Sequence, residues 1–199
     1  METMTKQFRR ACVYCASSDK VDPKYLAAAD ELAEVLVKAG IAVVYGGGAK
    51  GLMGRLADGV LARGGRITGV IPEFMKAVEW DHPQVSEMHI VPDMHTRKRM
   101  FLEDIDAVIA LPGGCGTFEE LLEAMTWKRL GLVTAPIVIV NTDGYYDPLI
   151  EMLDRSVREQ FMRPEHAAMW SVIDAPAALL PVLQAAPDWG RNAIEFAAV

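Results

Sequence analysis

Cysteine is scarce in this sequence: the 199 residues include three, Cys12, Cys15 and Cys115. Cys12 and Cys15 spell C-x-x-C, but a redox pair of that kind opens a helix, whereas these two fall inside a predicted strand. Residues three apart in a strand point to opposite faces. A zinc site would require two further ligands at suitable spacing, and the sequence offers none. We read both as small buried residues. Long apolar runs are also lacking. No stretch approaches the roughly 20 residues that span a bilayer, and the N-terminal residues are polar and basic, without the apolar centre of a signal peptide. The expectation is a cytoplasmic protein with no membrane partner. Positive charge is in deficit as well, with a net charge of −7 and a pI near 5.1. That balance argues against nucleic acid as a partner.

Other signals are missing too. There are no repeats, low-complexity tracts or linkers. His82, His89 and His95 do not stand at metal-ligand spacing from any acidic or thiol partner, so we expect no metal and read them as locally satisfied. No serine nucleophile elbow occurs, and no glycine run ends in the Gly-Lys-Ser/Thr of a P-loop. What is present is a globular balance, 51% hydrophobic and 24% charged. A chain of this length suits one domain over residues 1–199 and buries about 70% of its unfolded surface.

Strand and helix signals alternate. Strands are predicted over 8–16, 41–45, 66–71, 86–91, 107–111, 135–140 and 171–173. Helices are predicted over 25–38 with Pro23 at the entry, then 52–63, 94–104, from the turn at 113–116 to 130, 148–160 and 176–184. Residues 73–84 read as a loop with room for a short helix, and the tail after Pro187 has no clear pattern. Such alternation means a doubly wound, mostly parallel α/β sheet with helices on both faces, a modified Rossmann arrangement. In such sheets ligands bind beyond the carboxyl ends of the strands. Three special turns follow strands and therefore gather on that edge: Ser17-Ser18-Asp19, Gly46-Gly47-Gly48 and Pro112-Gly113-Gly114-Cys115-Gly116-Thr117.

The last of these organises the chemistry. It joins an apolar strand to a strong helix former, so free backbone N–H groups and the helix dipole favour an anion, usually phosphate. Glu119 and Glu120 follow immediately. Carboxylates there repel a phosphate, so they serve something further along the ligand, such as a sugar or a glycosidic bond. Glu120 also has a structural reading, since Thr117-x-x-Glu120 is a capping box. Ser17 and Ser18 either meet a ligand or cap the next helix. The Gly46–Gly48 turn is either structural or part of the site. Its spacing does not fit a dinucleotide fingerprint. Arg97, Lys98 and Arg99 belong to a helix that leads into the strand before the Gly113 turn. They read either as a solvated face or as countercharge to the ligand, and the location favours countercharge.

These blocks together resemble the LOG ("lonely guy") family of cytokinin-activating enzymes, phosphoribohydrolases formerly described as lysine decarboxylases. Pro112–Glu120 matches its P-G-G-x-G-T-x-x-E signature, and Met94-His95-Thr96-Arg97-Lys98 is similar to its M-H-x-R-K block. Tyr45-Gly46-Gly47-Gly48 through Gly51-Leu52-Met53-Gly54 resembles Y-G-G-G-x-x-G-L-M-G. Smaller echoes are Gly69–Pro72, Thr126-Trp127 and Gly144-Tyr145-Tyr146-Asp147. The resemblance covers residues 10–160. It implies a homodimer or higher oligomer, no cofactor, and hydrolysis of the N-glycosidic bond of a cytokinin nucleoside 5′-monophosphate to free base and ribose 5-phosphate. By the same resemblance Arg97 and Glu120 are the catalytic pair. Glu79, Lys98, Gly113, Gly114, Cys115, Gly116, Thr117 and Thr126 are substrate contacts, and Gly46, Gly47 and Ser18 join them by position. Cys115 and Phe118 stand where tyrosine and leucine are usual, which bears on base preference. Two other readings stay open: a general purine nucleotide nucleosidase acting on AMP, and a non-catalytic carrier of a nucleotide or of the molybdenum cofactor.

Overall fold

The computed structural model describes residues 6–76 and 81–197. In chain order the regular elements are β1 (Arg10–Tyr14), α1 (Pro23–Lys38), β2 (Ala42–Tyr45), α2 (Gly51–Ala62), β3 (Ile67–Pro72), the single turn α3 (Glu73–Lys76) and β4 (Glu87–Val91). Then follow α4 (Met94–Phe101), β5 (Ala107–Ala110), α5 (Cys115–Arg129), β6 (Ile137–Val140), α6 (Asp147–Arg158), β7 (Trp170–Ile173) and α7 (Leu179–Ala185). Short 3-10 turns cover Thr142–Gly144, Pro164–Met169, Pro176–Ala178 and Arg191–Phe196. The predicted tail without pattern thus contains a 3-10 segment, and the helix predicted from residue 176 begins as a 3-10 turn.

The sheet has seven strands in the order β4-β3-β2-β1-β5-β6-β7, and every pairing is parallel. Its central strands are buried on both faces, which is why β5 (Ala-Val-Ile-Ala) and β6 (Ile-Val-Ile-Val) show no alternation in sequence. Two cores result. One packs Val13, Val43, Tyr45 and Ile109 against Leu32, Leu36, Leu52, Leu56 and Leu183 of α1, α2 and α7. The other packs Cys12, Tyr14, Val44 and Val108 against Phe101, Leu121 and Leu153 of α4, α5 and α6. Cys12 and Cys15 fall in opposite cores, as strand geometry requires, and both are free thiols. Burial is the main cause that pushes both thiols well above the ordinary range, so neither has thiolate character at neutral pH.

The chain runs outward from β1 in both directions, so the order of strands reverses between β1 and β5. The crevice beyond the carboxyl ends at that reversal is where such sheets hold ligands. Among the described residues no helix is long and apolar enough to cross a membrane.

Candidate active site

A cavity of about 410 Å³ opens at this crevice. Its walls come from the ends of β1 (Tyr14 through Ser18), from Gly46 after β2, from Arg97 of α4, and from Gly114, Cys115, Gly116, Thr117, Glu119 and Glu120 at the start of α5. Met53 and Met94, each inside a block quoted above, and Met75, which no motif marked, supply soft apolar wall. A smaller apolar pocket of about 150 Å³ adjoins it, sharing Ala16, Ser18 and Gly114, and is bounded by Val21, Tyr25, Leu52, Gly113 and Tyr145.

Gly114 is the N-cap of α5, in extended conformation and with no side-chain cap. The first-turn N–H groups of α5, which lack carbonyl partners within the helix, are therefore not closed off by a capping side chain. A Cβ added at Gly114 or Gly116 would meet only open space, whereas one at Gly113 would lie 2.1 Å from Thr117 Oγ1. Gly113 is thus needed for packing, and Gly114 and Gly116 keep the cavity wall low. This geometry overturns the capping-box reading of Glu120. Thr117 lies inside the helix, buried, with Gly114 as the cap, so Glu120 sits in the second turn and faces the cavity.

Arg97 follows the reading that its location favoured. It does not lie on a solvated helix face: its side chain is 5% exposed. Asp93 caps α4 by accepting from the Thr96 N–H at 2.7 Å, and the helix then carries Arg97 over the sheet edge. Arg97 Nε donates to Val70 O at 3.1 Å and Nη2 to Gly46 O at 3.0 Å. Nη1 lies 3.5 Å from Met75 Sδ, and the guanidinium stands 5.2 Å from the Phe101 ring centre. The Gly46 turn is therefore part of the site, since its carbonyl orients the arginine. Gly47, with φ +83°, needs the left-handed region; its carbonyl accepts from the His82 N–H at 2.9 Å.

The remaining predicted residues divide. Ser18, Gly114, Cys115, Gly116 and Thr117 line the cavity. Gly113 lines the smaller pocket and Gly47 lies behind Gly46, out of the cavity lining. Lys98 is turned to Glu119 at 2.5 Å and Glu123 at 3.0 Å. The Glu119 hydrogen bond leads the causes that raise its pKa, so it remains charged. This pairing offsets the Glu119 charge near the start of α5. Thr126 is exposed on α5, its hydroxyl donating to Leu122 O at 2.8 Å, and is not among the cavity residues. Glu79 lies outside the described residues. Two of the histidines have local acidic partners, His82 with Asp58 at 3.1 Å and His89 with Glu87 at 3.3 Å.

An α/β protein with a glycine turn at a helix N-terminus, facing an arginine and a carboxylate across the sheet's reversal point, belongs to the class that binds phosphorylated nucleosides or sugars. The comparisons narrow the class. A family model described as "Possible lysine decarboxylase" matches residues 53–183. The "Probable cytokinin riboside 5′-monophosphate phosphoribohydrolase LOGL6" of Oryza sativa subsp. japonica is 41% identical over 185 residues, covering 93% of this chain and 74% of that protein. The "Cytokinin riboside 5′-monophosphate phosphoribohydrolase LOG7" of Arabidopsis thaliana is 42% identical, covering 89% and 81%. The chain belongs to the LOG family. Among solved structures, the molybdenum cofactor carrier protein of Chlamydomonas reinhardtii has a TM-score of 0.66 at 18% identity, covering 89% of this chain and 97% of that one. The molybdenum cofactor binding protein of Rippkaea orientalis has a TM-score of 0.64 at 15% identity. These two likenesses are of fold.

Proposed function

We propose that this protein, acting as one domain in a cytoplasmic homodimer, hydrolyses cytokinin riboside 5′-monophosphates to free base and ribose 5-phosphate. The observation that carries the reading is the convergence of Arg97, Glu120 and the Gly114–Thr117 turn on one cavity. The relatives named above, at 41% and 42% identity over most of the chain, support the same activity.

In this reading the 5′-phosphate sits on the first-turn N–H groups of α5, where the dipole favours a dianion. The bond from ribose C1′ to the base nitrogen breaks with positive charge building on the sugar, as in glycoside cleavage generally. Glu120, one turn further along α5, stabilises that charge. Water supplies oxygen to C1′ and a proton to the departing base. Arg97, fixed by Val70 O and Gly46 O, presents its guanidinium edge to ribose or phosphate oxygens through paired hydrogen bonds. Because the arginine is pre-positioned by backbone carbonyls, little ordering is required when substrate arrives. The test is release of free base from isopentenyladenosine monophosphate, with AMP beside it. Release from the first and not the second assigns the cytokinin reading, equal release makes the protein a general nucleotide nucleosidase, and release from neither refutes the hydrolase.

A further inference from the structure

The backbone that approaches the cavity from β5 has its carbonyls occupied one after another. Leu111 O accepts from the Tyr146 hydroxyl at 2.7 Å, Pro112 O from the Ala16 N–H at 3.3 Å, and Gly113 O from the Tyr145 hydroxyl at 2.6 Å. Gly114 O is taken by the Phe118 N–H at 3.0 Å as α5 begins. A carbonyl turned into the cavity would repel an anion there, and all four are held by donors elsewhere. Peptide planarity gives the Gly113 contact a further consequence. In a trans peptide the C=O of one residue and the N–H of the next point in opposite directions. Tyr145 stands on the side of the smaller pocket, which Gly113 also lines, while Gly114 lines both spaces.

We propose that Tyr145 is a positioning residue for anion binding: by fixing the Gly113 carbonyl it directs the Gly114 N–H into the larger cavity and adds a donor to the site. The identity of the anion, a ribose 5-phosphate group, rests on the phosphoribohydrolase reading; the orientation of the peptide does not. Tyr145 is itself held in place. Its ring meets Tyr25 edge-on with centroids 5.6 Å apart, lies 27° from the Phe118 plane, and meets Tyr146 at 5.1 Å. Burial, the leading cause, raises the Tyr145 phenol pKa, so it stays a donor at neutral pH. Tyr146 is locked in turn by Asn141, whose Oδ1 accepts the Tyr146 N–H at 2.7 Å while its Nδ2 donates to Asp147 at 2.8 Å. The Gly-Tyr-Tyr-Asp segment after β6 thus acts on the Gly113 turn from behind, without entering the larger cavity.

The experiment compares Tyr145→Phe with the wild type by calorimetry, using ribose 5-phosphate and adenosine as probes. Phenylalanine keeps the ring contacts and removes only the hydroxyl. Ribose 5-phosphate should bind about tenfold more weakly, the worth of one hydrogen bond to a charged group, while adenosine binding is unchanged. Turnover of the nucleotide monophosphate should show a raised KM with kcat little altered. Equal affinity of both proteins for ribose 5-phosphate overturns the proposal, as does an equal loss for the two probes, which a general distortion would cause. Failure of the wild type to bind ribose 5-phosphate overturns it too. Should the variant not fold, 3-fluorotyrosine at position 145, a stronger donor of similar size, replaces it. Tighter ribose 5-phosphate binding with adenosine unchanged is then expected, and no change in either is contrary. A wild type that binds ribose 5-phosphate through Tyr145 but releases no base would refute the hydrolase reading while leaving the positioning role intact.

Discussion

At Glu120 the structure removes one of the two readings that residue pattern alone left equal, the capping box. With Gly114 as the cap of α5, the carboxylate has no capping task to perform. Glu120→Gln should fold and still bind nucleotide, with turnover lowered by about a hundredfold or more. Steady-state kinetics beside a thermal melt check this, and near-normal release of base would remove Glu120 from catalysis. At Arg97 the solvated-face reading falls away, because the residue is buried and bonded to the carbonyls of Val70 and Gly46. Arg97→Ala should abolish turnover and also destabilise the fold, by about 2 kcal/mol or more, since Val70 O and Gly46 O lose their donor inside the protein. Urea denaturation measures the second effect, and an unchanged midpoint would contradict the burial. The cysteines give a third test. Cys115 is exposed in the cavity wall, whereas Cys12 and Cys15 are buried with thiol pKa raised. Iodoacetamide should add one label to the native protein, at Cys115, and ribose 5-phosphate should slow it. Labelling of Cys12 or Cys15 without denaturant would contradict their burial.

At the level of elements, most of the fold was legible because a parallel sheet writes itself as apolar runs between amphipathic helices. Each predicted strand appears, and the boundaries moved by only a few residues where ends fray or capping intervenes. The helix after the Gly113 turn begins at the glycines, as expected, and Gly114 rather than Thr117 is its cap. Thr-x-x-Glu is a local pattern, and only the backbone conformation at Gly114 reveals that the helix had already started. Burial of Arg97 was not legible either, because its acceptors, the carbonyls of Val70 and Gly46, are 27 and 51 residues away in sequence. The supporting role of Tyr145 had a sequence signal, the tyrosine pair after β6, but no pattern linked it to Gly113. The far end of α5 holds a feature that composition could not show. Lys128 is buried at 2% exposure, donates to Ala135 O at 2.7 Å and stands 5.5 Å from the Trp189 ring centre. Burial lowers its pKa from 10.5 to about 8. Between these values the unfolded chain binds more protons than the folded one, so stability attributable to Lys128 rises as pH climbs from about 8 toward 10.5. Relative to Lys128→Met, wild-type unfolding free energy should increase across that window. Parallel pH profiles would show that the lysine is not charged against its surroundings.

For the molecule as a whole, we predict a homodimer. Leu122 on α5 and Leu132 just beyond it are exposed by 39% and 67%, apolar surface that a second copy would cover. Light scattering should give twice the chain mass, and Leu122→Glu should shift it toward the monomer. A fully active wild-type monomer would contradict this. Arg97, Glu120 and the Gly114–Thr117 turn meet in one cavity, so the most direct measurement is product analysis. Purified wild-type protein and Glu120→Gln are each incubated with isopentenyladenosine monophosphate, and free base and ribose 5-phosphate are quantified. The account predicts equal amounts of the two products from the wild type and at least a hundredfold slower release from the folded variant. Nucleoside plus inorganic phosphate, or no reaction in a wild type that binds the nucleotide, would contradict it.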